Sequence, residues 1–279
     1  MSKIDISCGS ENFPINLEDV KLQTKLSNFQ YVCCNIPGPG TYTMDFEDQL
    51  QGCTCPGKSC DISVNTKCTC MTYGSSYTAD ARLHKMPSSK KEITVFNECN
   101  SLCTCSSSCT NRVVQHGITT RLEVFWVEDK GLCLRTLEPI ECGKFVCEYA
   151  GEVLTREEAK RRAEKQNKDD MNYIFVLNEH FTSGIHTTYI DPCKIGNVGR
   201  FISHSCEPNL SIYPVRVHNL VPKVCLFTAR DICANEELTY DYGQNDDQLQ
   251  RNTEGDKKIC KCKSDACKGF LPFDLSVLK

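Results

Sequence analysis

Arg200-Phe-Ile-Ser-His-Ser-Cys-Glu-Pro-Asn209 carries a dense group of reactive side chains, in which an arginine, a histidine and a cysteine lie among turn-forming residues. The segment lacks the repeat of an amphipathic helix, and its Ser-Cys-Glu-Pro-Asn end is also typical of a surface turn. Taken alone, it is compatible with either a surface turn or a buried functional loop. Other segments of the chain favour the buried loop.

Two further segments flank this one. Gly143-Lys-Phe-Val-Cys-Glu-Tyr-Ala-Gly-Glu152 precedes it, and Glu237-Leu-Thr-Tyr-Asp-Tyr-Gly243 follows it. In this order the three segments resemble the signature of the SET-domain lysine methyltransferases. The resemblance implies a β-rich mixed α/β fold, a folded β-ribbon in which segments 200–209 and 237–243 thread through each other in a knot-like way that is rare in proteins. It also implies a pre-SET zinc cluster and a small zinc-binding post-SET module.

The composition is that of a globular protein, with 40% hydrophobic and 24% charged residues in a chain of 279. We expect no secretory signal, because no apolar run follows Lys3, and no membrane span, because no window has eighteen apolar residues. The missing signal argues against a secreted cysteine-rich module. The 22 cysteines therefore favour metal ligands over disulfides, since the cytosol and nucleus keep thiols reduced. The net charge of −4 predicts no direct nucleic-acid binding and mildly favours a basic partner.

Nine cysteines lie close together in a segment with few large apolar residues, at Cys53, Cys55, Cys60, Cys68, Cys70, Cys99, Cys103, Cys105 and Cys109. Such a segment requires coordinate or covalent bonds to fold, and an odd number cannot all pair as disulfides. Nine thiolates could fill two tetrahedral zinc sites with one left over, or three sites if three thiolates bridge. The two C-x-C pairs favour shared metals. The pattern resembles the nine-cysteine, three-zinc pre-SET module of the heterochromatin-type histone methyltransferases, but it does not identify the bridging residues.

Three cysteines near the end of the chain, Cys260, Cys262 and Cys267, supply one ligand fewer than a tetrahedral zinc site needs. By the same resemblance Cys206 is the fourth ligand, which ties the C-terminal segment across the active site. The alternative is three free thiols on a frayed tail.

Local patterns predict one helix and many short strands. The capping box at Thr155 and Glu158 opens a helix that extends to about Gln166. Strands are predicted around residues 122–126, 131–135, 144–149, 172–177, 187–191, 214–217 and 223–227. The predicted divisions are an N-terminal strap at 1–50, the pre-SET cluster at 51–117 with an exposed loop at 87–91, the SET domain at 118–243, a polar linker at 244–255 and the post-SET module at 256–272.

The resemblance also assigns the functional residues. It places the donor S-adenosylmethionine among Lys130, Gly131, Leu132, Tyr173, Arg200, Ser203, His204, Tyr242 and Lys261. The catalytic group is Tyr149, Tyr240, Tyr242 and His204, whose tyrosines line a channel for the substrate lysine. Each tyrosine could instead be a strand residue that packs the core. Tyr240 predicts mono- and dimethylation.

Three residues depart from the family pattern. The donor loop Gly-Trp-Gly is here Gly131-Leu132-Cys133, and the asparagine before the His-Ser-Cys motif is Ser203. Losing two amide hydrogen bonds to the donor would cost about 1 to 3 kcal/mol, so Ser203→Asn is expected to tighten donor binding.

The resemblance and the departures from it imply two alternative functions. The first is a zinc-containing methyltransferase that modifies a lysine of histone H3, acts on the H3 tail or nucleosome in the nucleus and on chromosomes, and is a monomer. The second is a weak or inactive SET-fold protein that binds chromatin.

Overall fold

The structure is a computed structural model that describes residues 3–47, 50–60, 68–71, 76–83, 96–166, 171–243 and 258–272. The predicted linker at 244–255, the predicted loop at 87–91 and post-SET residues 256–257 lie outside this part. In the described residues the strands are β1 (Asn16–Leu17), β2 (Gln30–Tyr31), β3 (Ile36–Pro37), β4 (Phe96–Asn97), β5 (Leu122–Val127), β6 (Gly131–Thr136), β7 (Phe145–Glu148), β8 (Gly151–Leu154), β9 (Phe175–Phe181), β10 (Gly184–Gly196), β11 (Ser203–His204), β12 (Leu210–Arg216), β13 (Lys223–Thr228) and β14 (Thr239–Tyr240). One α-helix, α1 (Arg156–Lys165), accompanies them, with 3₁₀ helices at Val20–Leu26, Thr43–Phe46, Thr69–Met71, Val114–His116 and Val198–Phe201.

Short antiparallel ribbons build the SET region and confirm the predicted β-rich class. Strands β5 and β6 form one hairpin, β9 and β10 a second, and β12 and β13 a third. Strand β8 adds to β10, and β7 adds to β13, so the hairpins extend into small sheets. Their inward faces share one apolar core that includes the fully buried Leu134, Ile190 and Leu226.

The N-terminal segment lies along the edges of these sheets. Strand β1 pairs in parallel with β5, β2 with β10 and β3 with β8. Its buried Ile15 and Leu17 contribute to the main core. The segment therefore covers strand edges that would otherwise expose unpaired backbone groups.

The predicted helix forms as expected. The Thr155 side chain accepts a hydrogen bond from the backbone N–H of Glu158 at 3.3 Å, which caps the first turn. Arg162 then anchors the helix to the sheet, because its guanidinium contacts Glu152 and Asp191 at 2.7 and 2.8 Å. None of the helices in the described part is both long and apolar enough to span a bilayer.

One predicted strand begins later than the sequence indicates. Residues 172–174 are not part of β9, which starts at Phe175. The side chain of Asn172 accepts a hydrogen bond from the N–H of Ile174 at 3.0 Å, and this local turn competes with sheet pairing. The carbonyl of Tyr173 is consequently available to a side chain of the active site.

Candidate active site and metal centres

Two of the three signature segments, 200–209 and 237–243, pair with each other. Strands β11 and β14 run in parallel, with Ser203 opposite Thr239 and His204 opposite Tyr240. Asn209 holds the same two segments together, because its side chain accepts from the N–H of Thr239 and donates to the carbonyl of Glu237, both at 2.8 Å. The motif quoted first is thus a buried loop and not a surface turn.

Two buried tyrosines, Tyr149 and Tyr240, and the partly buried Tyr242 meet beside this pair of strands. The ring centroids of Tyr149 and Tyr240 are 6.2 Å apart, and those of Tyr240 and Tyr242 are 4.7 Å apart. Phe175, which the sequence did not single out, adds a fourth ring at 5.6 Å from Tyr149. The predicted aromatic group therefore forms, and β9 contributes one wall of it.

Two of the phenols are fixed by hydrogen bonds to backbone. The hydroxyl of Tyr149 donates to the carbonyl of Tyr173 at 2.7 Å, and the hydroxyl of Tyr242 donates to the carbonyl of Ile202 at 2.9 Å. Burial raises the pKa of Tyr149, Tyr240 and Tyr242 well above the usual value for a phenol. Each oxygen is therefore neutral, and the two fixed ones keep lone pairs that can accept a hydrogen bond from an amine.

A cavity of about 190 Å³ opens next to Tyr242. Its lining residues are Asp129, Lys130, Met171, Ser203, His204, Tyr242, Lys258, Ile259, Lys261 and Leu271. Five of the nine predicted donor residues belong to this lining: Lys130, Ser203, His204, Tyr242 and Lys261. Gly131 and Leu132 follow directly at the start of β6 without lining the cavity itself.

Arg200 and Tyr173, the other two predicted donor residues, stack on each other outside that lining. The guanidinium of Arg200 lies 4.6 Å from the ring of Tyr173 and 4.7 Å from the ring of Phe29. Among the described residues, the buried Nε of Arg200 makes no hydrogen bond. A buried N–H group without a protein acceptor can donate a hydrogen bond to an anionic or carbonyl group of a ligand.

His204 connects the cavity to the cysteines of the post-SET module. Its Nδ1 accepts a hydrogen bond from the N–H of Tyr242 at 3.2 Å, and its Nε2 lies 3.4 Å from the sulfur of Cys206. Burial lowers the pKa of His204, while Asp241 opposes this effect. The neutral ring, with its proton on Nε2, can therefore donate to the Cys206 sulfur.

Several cavity residues carry no local signal in the sequence. Lys258, Ile259 and Leu271 reach the cavity only because the C-terminal segment folds onto the SET region. Glu237 was also missed as a site residue, although it holds the Lys130 ammonium with both carboxylate oxygens, at 2.9 and 2.8 Å. Glu237 begins a signature segment but lies 107 positions from Lys130, and the three C-terminal residues follow the signature segments, so only the fold brings these groups together.

The predicted post-SET ligands come together. The Sγ atoms of Cys206, Cys260, Cys262 and Cys267 all lie within 4.8 Å of one another, which suits the roughly 3.8 Å between ligands of a tetrahedral zinc with about 2.3 Å bonds. Backbone N–H groups of Lys268 and Gly269 donate to the sulfurs of Cys206 and Cys267, at 3.3 and 3.4 Å. Such donors stabilise thiolates.

The nine pre-SET cysteines also form one cluster. Three sets of four have all their sulfurs within 4.8 Å: Cys53, Cys55, Cys60 and Cys68; Cys53, Cys60, Cys99 and Cys105; and Cys53, Cys70, Cys99 and Cys103. The ninth residue, Cys109, has its sulfur 4.0 Å from that of Cys99. Cys53 belongs to all three sets, while Cys60 and Cys99 belong to two each. These shared sulfurs favour bridging metals over separate fingers.

Groups around the cluster are suited to thiolates. The N–H groups of Cys53 and Asn100 donate to the sulfur of Cys103 at 3.3 and 3.1 Å, and the N–H of Cys60 donates to the sulfur of Cys109 at 3.3 Å. The guanidinium of Arg112 contacts the sulfur of Cys105 at 3.6 Å. The residues present therefore fit bound zinc, whose cysteine ligands must be deprotonated.

The β-ribbon fold, the paired signature segments and the two cysteine centres define a SET-domain protein with pre-SET and post-SET modules. Family models agree, because the Pre-SET motif matches residues 7–112 and the SET domain matches residues 131–243. The chain belongs to the SET-domain lysine methyltransferases that act with S-adenosylmethionine.

Individual members of the family show how similar this chain is to proteins of known name and structure. SETMAR of Mus musculus, a histone-lysine N-methyltransferase, is 41% identical over 281 residues, which are 98% of this chain and 90% of the relative. The crystal structure of the human SETMAR methyltransferase domain matches with a TM-score of 0.86 at 39% identity, covering 98% of this chain and 99% of that one. KRYPTONITE in complex with mCHH DNA, an H3(1-15) peptide and SAH matches with a TM-score of 0.73 at 31% identity, covering 96% of this chain and 53% of that one.

Proposed function

We propose that this protein transfers methyl groups from S-adenosylmethionine to a lysine of histone H3 and makes mono- and dimethyl-lysine. The observation that carries the proposal is the group of Tyr149, Tyr240 and Tyr242, which reaches the cavity through Tyr242. Similarity to histone-lysine methyltransferases and to a structure with an H3 peptide supports the substrate.

The proposed cavity for the donor is the one lined by Lys130, Ser203, His204, Tyr242 and Lys261. When bound there, S-adenosylmethionine supplies an electrophilic methyl group on a cationic sulfonium. Arg200, whose Nε has no hydrogen-bond partner in the described part of the chain, and Tyr173 are proposed to hold a polar end of the donor. Gly131 and Leu132 contribute backbone at the start of β6.

The tyrosine channel has to accept a neutral lysine. A free lysine has a pKa near 10.4, so deprotonation at a pH of about 7.4 costs about 4 kcal/mol. A dry aromatic channel next to a sulfonium lowers that cost, because both disfavour the ammonium form. The phenols are themselves uncharged, as their raised pKa values indicate.

The fixed hydroxyls then orient the amine. Tyr149 and Tyr242 each use their hydrogen on a backbone carbonyl, so their oxygens accept from the amine N–H groups and direct the nitrogen lone pair at the methyl group. Tyr240 is proposed to occupy the space that a dimethylated amine would need to turn towards the donor. His204 is proposed to support this arrangement by fixing the backbone of Tyr242.

We propose four zinc ions per chain, three in the pre-SET cluster and one in the post-SET module. The shared sulfurs support Cys53, Cys60 and Cys99 as bridges. The resulting sites would be Cys53, Cys55, Cys60 and Cys68; Cys60, Cys99, Cys105 and Cys109; and Cys53, Cys70, Cys99 and Cys103.

We further propose the H3 tail or nucleosome as the partner, the nucleus and chromosomes as the location, and a monomeric enzyme without direct nucleic-acid binding. The similarity to a histone-lysine N-methyltransferase, whose substrate is a chromatin protein, supports this location. The ninth and the thirty-sixth residues of histone H3 are the two candidate targets.

A peptide assay tests the function. The protein is incubated with S-adenosylmethionine and H3 peptides that span either lysine, with arginine at the target position as the matched control. We expect methyl transfer only to the lysine peptide. The competing function, an inactive chromatin-binding protein, is favoured by Leu132, Cys133 and Ser203. Calorimetry that shows no donor binding at millimolar concentration would support it and refute the enzyme.

A further inference from the structure

Two of the departures from the family pattern contact each other. The hydroxyl of Ser203, on the cavity wall, donates to the sulfur of Cys133 at 3.2 Å, although the two residues are 70 positions apart. The sulfur of Cys133 in turn lies 3.6 Å from the carbonyl of Gly131, which can accept the thiol hydrogen. Two consecutive hydrogen bonds through the Cys133 thiol therefore link Ser203 on β11 to the backbone at the start of β6.

These two hydrogen bonds connect two walls of the cavity. Ser203 lies on one wall, and Lys130, which precedes Gly131, lies on another. Cys133 is completely buried behind them and lines no part of the cavity itself. Burial raises the pKa of its thiol to about 11, so it is a neutral packing group and not a nucleophile.

We infer that Cys133 and Ser203 are a size-matched pair that holds these two walls in position, with Cys133 as a positioning residue that acts on the donor through Ser203. This inference rests on the proposed function, because it assumes that the cavity binds the donor.

The distance between Ser203 and Cys133 limits the size of the side chain that fits at position 203. The hydroxyl oxygen of Ser203 already touches the sulfur at 3.2 Å. An asparagine at position 203 adds two heavy atoms, which must either press into the sulfur or point into the cavity that the donor needs. The pair thus reverses the expectation from the sequence alone, since Ser203→Asn by itself is expected to weaken donor binding. A glycine at position 133 removes the sulfur and makes room for the amide.

A double-mutant cycle with Ser203→Asn and Cys133→Gly tests the pair. We expect Ser203→Asn to weaken binding of S-adenosylhomocysteine by about tenfold in calorimetry, which is about 1.4 kcal/mol. The double variant is expected to bind within about threefold of the unmodified protein or more tightly, despite the cost of a strand glycine. Cys147→Gly combined with Ser203→Asn is the matched control, because Cys147 is also a fully buried strand thiol, and it should not restore binding.

A second measurement tests the size-matched pair separately from the proposed donor binding. Without donor, the melting temperature of the double variant should exceed the value expected from adding the two single effects. Additive melting temperatures, or tighter donor binding by Ser203→Asn alone, would overturn the size-matched pair. Absence of donor binding by the unmodified protein at millimolar concentration would instead overturn the proposed function.

Discussion

Cys262→Ser is expected to remove one zinc ion and to disable the donor cavity without unfolding the SET core. Cys262 is one of four sulfurs in the post-SET centre, and serine is a poor zinc ligand. Three of the four proposed ligands lie in the segment 258–272, whereas Cys206 belongs to the SET region. Loss of the metal therefore releases the C-terminal segment and leaves the main core, with Leu134, Ile190 and Leu226, in place.

The expected loss of donor affinity can be estimated from the cavity residues that the segment 258–272 supplies. It contributes Lys258, Ile259, Lys261 and Leu271 to the cavity lining. Covering the two apolar side chains with a ligand is worth about 1.5 to 3 kcal/mol if roughly half of each is buried. The dissociation constant of S-adenosylhomocysteine should accordingly rise by about 10- to 100-fold.

Elemental analysis and calorimetry measure both quantities on the same samples. Zinc should fall from four to three ions per chain, with the melting temperature of the SET core changed little. Cys233→Ser is the control, because Cys233 is an exposed thiol outside both cysteine centres. Unchanged donor affinity after loss of the zinc would refute the reasoning, and so would full retention of zinc.

Three further expectations concern the cluster, the product and the pH profile. Cys53→Ser removes a proposed bridge between two of the three pre-SET zinc ions, and because Cys60 and Cys99 join those two to the third, it should cost all three ions and make residues 51–117 sensitive to protease, as chelation should. Two or fewer zinc ions in the unmodified folded protein would contradict the cluster. Tyr240→Phe should shift products on an H3 peptide towards trimethyl-lysine in mass spectrometry while the fold is kept, and abundant trimethyl product from the unmodified enzyme would contradict the role of Tyr240. Initial rates at low peptide concentration should rise about tenfold per pH unit from about pH 7 to 9 as the lysine amine loses its proton. Because burial raises the pKa of the channel tyrosines, no decline from phenol ionisation is expected below about pH 10.

Much of the architecture could be predicted because the relevant signals are local in the chain. The capping box at Thr155 specifies a helix start through one short-range hydrogen bond, and the structure has it. Spaced cysteines indicate metal binding through their chemistry, and the structure brings the predicted thiols of both centres together. By contrast, the start of β9 was misplaced, because the side chain of Asn172 satisfies the N–H of Ile174 in a turn that the β-rich composition does not reveal.

The sequence alone was sufficient for the order of the signature segments and for the cysteine spacing that indicates metal, while the candidate tyrosines and Cys206 as a ligand came from the resemblance that those segments carry. The tertiary structure was needed to show which sulfurs are shared, that Ile259 and Leu271 line the cavity, and that Ser203 touches Cys133. The reason is that these contacts join residues from separate strands and from the C-terminal segment. Nothing in the local periodicity of a chain records how its distant parts meet.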